Sequence, residues 1–153
     1  MKRLVINSFS PEDTLRIAEQ MGKNIIGGEV IELVSDLGGG KTTFVRGLAI
    51  GMGSKDGVRS PSFGIEHIYK AGRFKLHHMD FYRLEDPGIM KQALTEAMEE
   101  RDTVIVVEWA DIVRHVLPSK RMTVELSAVL IDERELTFRF PDELEYLVSN
   151  LTG

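Results

Sequence analysis

An α/β sandwich with a mixed, mainly parallel central sheet and antiparallel additions is the fold class that this sequence predicts. Strand-like and helix-like segments alternate through the first two thirds of the chain. Within them, "TVIVVEW" (103–109) is a continuous β-branched run, the signature of a central parallel strand buried on both faces. Nearer the C-terminus, 124–130 and 135–140 alternate like an antiparallel pair across "IDER".

The elements follow in order. "RLVIN" (3–7) reads as a short strand. Ser10 then reads as an N-cap, with Pro11 at the first helical position and Asp13 three residues after the cap. Leu15, Ala18 and Met21 form an apolar face, and Gly22 is expected to end that helix. The glycine pair 27–28 turns the chain into a strand over Val30–Val34. A helix over 41–53 places Phe44, Val45, Leu48 and Met52 on one face and stops at Gly53. "SKDGVRSPSF" is loop chemistry throughout. Strands at 65–69 and 74–79 are joined by "KAGR" as a hairpin. "EDPG" breaks the chain before a helix over 89–101, and "PDELEYLVSNL" reads as a terminal helix led by Pro141.

Composition removes several function classes. A chain of 153 residues predicts a single domain, 1–153, able to bury roughly 70% of its unfolded surface. The net charge of −5 and the scattered Lys and Arg argue against a free-standing nucleic-acid binder. The lack of cysteine excludes disulfides, a thiolate zinc site and a cysteine nucleophile. No apolar run approaches the ~18 residues that span a bilayer, and the one near the N-terminus is too short for a signal peptide. A reducing cytoplasm is the expected compartment, without membrane association.

The chemistry is concentrated in "VIELVSDLGGGKTT" (30–43): strand, glycine-rich loop, Lys-Thr, helix. This is the arrangement of a P-loop. Gly38, Gly39 and Gly40 allow the backbone to turn its N–H groups inward as a nest for phosphate oxygens. The helix starting near Lys41 adds its positive dipole end. Lys41 can reach the β- and γ-phosphates, and the Thr42 hydroxyl is placed for Mg²⁺. Ser35 stands where the pattern has its first glycine; either it takes ordinary strand-like dihedrals, or it carries strain of about 1–3 kcal/mol.

A nucleotide site also needs carboxylates. Glu108 follows "VIVV" like the acid of a Walker B strand, and Asp80 follows "KLHHM" at another predicted strand end. Either could instead be a solvated terminal acid. His77 and His78 point to opposite faces and cannot chelate together, so zinc is not expected; His78 and Asp80 share a face and could pair. Trp109 is either core or a neighbour of the nucleotide. Arg59, Ser60 and Ser62 lie in a loop of switch-like composition that a plain turn would also explain. The lack of an N-K-x-D motif disfavours GTP.

In this order and in so small a chain, "SDLGGGKTTFVRG", "VRSPSF", "HHMDFYRL" and "VVEWAD" resemble the TsaE (YjeE) family, over roughly residues 5–140. These are small P-loop ATPases of bacterial tRNA threonylcarbamoyladenosine biosynthesis. The resemblance implies a three-layer P-loop NTPase sandwich binding ATP or ADP with Mg²⁺. By it, Leu37, Gly38, Gly39, Gly40, Lys41, Thr42, Thr43 and Trp109 are implied to contact nucleotide. Thr42, Asp80 and Glu108 are implied metal ligands; Glu108, Asp80 and Lys41 are implied catalytic residues; Ser60–Phe63 are implied to form a switch. The implied partners are TsaB- and TsaD-like proteins, which transfer threonylcarbamoyl to adenosine 37 of tRNA, so that tRNA is met only through them. Departures from the family pattern are Ser35 for glycine, Ser62 for the common threonine, Gly39 for the usual alanine, and a poor match over 89–100. Two other readings compete: a small-molecule kinase, which would need an acceptor pocket and a lid arginine, and a nucleotide-gated binding module without significant hydrolysis.

Overall fold

The computed structural model describes residues 1–35, 40–55, 66–81 and 88–152. Seven strands form one sheet: β1 (Lys2–Ser8), β2 (Val30–Val34), β3 (Glu66–Ala71), β4 (Phe74–Asp80), β5 (Thr103–Glu108), β6 (Met122–Ala128) and β7 (Arg134–Phe140). Their spatial order is β1-β7-β6-β2-β5-β4-β3. The four central strands, β6-β2-β5-β4, run parallel, and β1, β7 and β3 add antiparallel edges. The expected mixed α/β class is therefore the observed one.

Helices cover both faces, as a parallel sheet requires. Helices α1 (Pro11–Gly22) and α2 (Lys41–Met52) pack on one face, where Phe44, Leu48, Val104, Val106 and Phe138 share a core. Helix α3 (Gly88–Met98) covers the other face, over Met79, Ile105 and Val107. The expected cap of α1 is present: Ser10 Oγ accepts the Asp13 N–H at 3.1 Å, with Pro11 opening the helix.

Helix α1 ends at Gly22 as expected, but not through a left-handed glycine cap. The helix is capped by Lys23 in right-handed geometry, and Gly22 instead lets α2 approach. A Cβ at Gly22, Gly47 or Gly51 would sit 2.1–2.3 Å from a carbonyl oxygen of the facing helix. These oxygens are backbone and cannot rotate away. Gly51→Ala should gain about 1 kcal/mol of helix propensity yet lose more by forcing the helices apart, since overpacking costs about 1–3 kcal/mol and occasionally more. A net loss near 2 kcal/mol lowers the thermal midpoint by about 4–8 °C. A midpoint that stays or rises in calorimetry would overturn this close packing.

Other boundaries moved for identifiable reasons. Strand β6 ends at Ala128, opposite Arg134, so Val129 and Leu130 lie in the turn rather than in the strand. Arg134 Nη1 donates to the Leu130, Ile131 and Glu133 carbonyls and holds that turn. The terminal segment is a 3₁₀ helix over Asp142–Val148, whose buried Leu144 and Leu147 stack at its three-residue period. Tyr146 on it donates to Glu29 Oε2 at 2.7 Å, and Glu29 also accepts the Ile26 and Gly27 N–H groups. Burial, then this bond, push the Tyr146 pKa up, so the hydroxyl keeps its proton and ties the turn before β2 to the C-terminal segment. No helix among the described residues is long and apolar enough to cross a membrane.

Candidate functional site

In an open parallel sheet, ligands bind beyond the carboxyl ends of the strands. At that edge β4, β5 and β2 end side by side, in Asp80, Glu108 and Val34, with Asp80 directly opposite Glu108. Side chains alternate along a strand, so Glu108 shares a face with Val104 and Val106, the face beneath α2. His78 and Asp80 point to the same face from β4. The sheet's geometry thus aims the Glu108 carboxylate at the first turn of α2.

Lys41 is the first residue of α2, entered from Gly40 at φ 97°, a left-handed geometry that glycine adopts at no cost. Its side chain does not face solvent. It is only 8% exposed. Nζ donates to the Ser35 carbonyl at 3.2 Å, stands 3.8 Å from Glu108 Oε1, and lies 4.6 Å from the centre of the Trp109 ring. The ammonium thus meets a carbonyl, a carboxylate and a π face.

Trp109 reaches that position through an uncommon backbone. At φ 56° and ψ 52° it is the sole non-glycine with positive φ among the described residues. Such a conformation costs about 1–3 kcal/mol and persists where the surroundings over-determine it. It turns the chain from β5 into the 3₁₀ segment Ala110–Ile112 and brings the indole beside Lys41. Trp109 is therefore a partly buried neighbour of the site. Ser35 is not among the described residues with positive φ, which favours the alternative of ordinary dihedrals.

The shared face allows His78 to pair with Asp80. Its Nε2 instead meets Glu108 Oε2 at 2.5 Å, with both side chains buried. The reason is register: in the parallel pair His78 lies across from Val106, two residues before Glu108 on the same face. His77 faces the other way and contacts Glu66 Oε2 at 3.2 Å, so the two histidines are apart as expected.

A second buried acid escaped the sequence reading. Glu32 on β2 faces the α3 side and accepts from Arg114 Nη2 at 2.8 Å and Arg121 Nε at 3.2 Å. These bonds tie the segment after Trp109 back to β2, and the Glu32 hydrogen bond pushes the Arg114 pKa up. The only sequence signal was an acid inside an apolar strand, "VIELV". A cleft beside Lys41 is lined by Glu32, Val34, Ser35, Trp109 and Arg114. Another, on the opposite flank of the α2 start, is lined by Pro11, Gly40, Thr43, Asp132 and Arg134. Leu37, Gly38, Gly39, Arg59 and the segment Ser60–Phe63 lie outside the described residues.

The family model described as threonylcarbamoyl adenosine biosynthesis protein TsaE matches residues 8–136. The chain belongs to the TsaE family. Its relatives include the tRNA threonylcarbamoyladenosine biosynthesis protein TsaE of Bacillus subtilis, 39% identical over 138 residues, 90% of this chain and 86% of that protein. The protein of the same name from Treponema pallidum is 35% identical over 130 residues, 85% of this chain and 96% of that one. A crystal structure of Bacillus subtilis YdiB matches with a TM-score of 0.78 at 33% identity, over 98% of this chain and 94% of that one. The TsaE match spans Ser35, Lys41, Asp80, Glu108 and Trp109, and it ends within β7.

Proposed function

We propose that the chain is an ATP-binding and ATP-hydrolysing subunit of the machinery that makes threonylcarbamoyladenosine at position 37 of tRNA. One observation carries the ATPase reading: at the carboxyl edge of the parallel strands, the Lys41 ammonium and the Glu108 carboxylate meet at the start of α2. That is where phosphates would lie on the α2 amides.

The steps follow from the residues. Phosphate oxygens enter over Gly40 and the first turn of α2, and Lys41 leaves Glu108 for the phosphates. The carboxylate marks the reacting end, so the nucleoside extends the other way, toward the cleft of Pro11, Thr43, Asp132 and Arg134. Asp80 and Glu108, neighbours across β4 and β5, supply hard oxygen donors with the Thr42 hydroxyl, a set suited to Mg²⁺ rather than to a soft metal. Those three residues would hold Mg²⁺, which when bound supplies charge neutralisation on the phosphates. With Lys41 on the phosphates, Glu108 turns from balancing a cation to orienting water.

A hydrolysis cycle whose product is a conformation suits an acidic chain working through proteins. TsaB- and TsaD-like partners in the cytoplasm would carry the tRNA and the threonylcarbamoyl transfer, with the chain acting as one domain. Phosphate release from Mg-ATP, followed with and without these partners and with candidate small acceptors, tests the reading. Slow release by the chain alone, rising with the partners, is the expected result. Transfer to a small acceptor would replace it with a kinase, and tight binding without turnover under all conditions with a nucleotide-gated module.

A further inference from the structure

His78 is fully buried on a central strand, two residues after the fully buried Leu76 on the same face. Its Nδ1 is buried and has no hydrogen-bond partner among the described residues, so the ring carries a desolvation cost. What it gains is one bond, from Nε2 to Glu108 Oε2. Because a carboxylate only accepts, Nε2 is the donor in this bond. The other Glu108 oxygen, Oε1, faces Lys41 at 3.8 Å. Each carboxylate oxygen thus has its own partner, one the Lys41 ammonium and the other a fully buried ring.

We propose that His78 is the positioning residue for Glu108. The inference rests on the ATPase reading and adds a role for a residue outside the phosphate loop and the two acids. When Lys41 moves to phosphate, Oε1 is released to serve metal and water while His78 keeps Oε2. The carboxylate then cannot swing to another rotamer, and Oε1 stays aimed at the reacting end of the nucleotide. Reacting groups displaced by about 1 Å can cost about a hundredfold in rate, so one rigid bond at this point is enough to matter.

The test compares His78→Leu with His78→Gln, whose amide N–H extends as far as Nε2. His78→Leu should lower the kcat of partner-supported ATP hydrolysis by about 30- to 100-fold, with the ATP dissociation constant within about threefold. His78→Gln should restore kcat to within about fivefold of the parent. His78→Asn, one bond too short, should fail like leucine and serves if the leucine variant does not fold. A readout independent of turnover is the emission of Trp109, the single tryptophan, in protein free of nucleotide and metal. Loosening Glu108 disturbs Lys41 over the indole, so emission should change in the leucine or asparagine variant and return with glutamine. Equal defects in Gln and Asn, or parental kcat and emission in Leu, would overturn the proposal. If the parent itself hydrolyses no ATP, the ATPase reading fails, and the emission comparison still decides whether His78 holds Glu108.

Discussion

Lys41→Met is expected to weaken ATP and ADP binding by about thirtyfold to a thousandfold, or about 2–4 kcal/mol, the scale of a lost charge-assisted phosphate contact. Methionine is the better test than alanine, because it keeps the apolar stem that passes the Trp109 ring and removes only the charge. Lys41 has three partners, so the variant also loses some stability. The Glu108 carboxylate keeps its His78 bond, which limits that loss to about 1–2 kcal/mol, or about 2–8 °C in thermal midpoint. Calorimetric titration with ADP, alongside circular dichroism to show the fold intact, measures both. Nucleotide affinity within a factor of two of the parent would remove the phosphate-binding assignment.

The parts of this molecule that were legible in the sequence are those written locally. Val30–Val34 is a β-branched strand bounded by turn chemistry, and α2 lies between two glycines, Gly40 and Gly53, both with positive φ. The apolar run at 103–108 announced a strand buried on both sides, and all six of its residues are buried. The candidate site was legible as residue types and not as contacts. Which acid His78 meets depends on the register of β4 against β5, a relation between segments that no single segment encodes. The burial of Lys41 depends in turn on Trp109 adopting a left-handed backbone, which nothing in "VEWAD" requires. Gly22 shows the same limit from the other side: a glycine near a helix end reads as a terminator, and only the facing helix reveals it as a point of close approach.

Glu108→Gln is expected to reduce partner-supported ATP hydrolysis by about a hundredfold to a thousandfold without weakening ATP binding. The amide preserves volume, and its carbonyl can still accept the His78 Nε2–H, so the packing at the end of β5 survives. What disappears is the negative charge that serves metal and water. Asp80→Asn, the neighbour across the strand pair, should show the same pattern, with hydrolysis lost and affinity retained. The sign of the affinity change is informative. Glu108 stands 3.8 Å from Lys41 and competes with phosphate for it, so neutralising the acid should tighten ATP binding in metal-free buffer. With Mg²⁺ present the gain should shrink, because the lost carboxylate is also a metal ligand. Steady-state phosphate release and nucleotide titrations with and without Mg²⁺ separate these effects. Normal hydrolysis in both variants would end the proposed mechanism, and weaker metal-free binding in Glu108→Gln would show that Lys41 and Glu108 act together on the phosphates rather than in exchange.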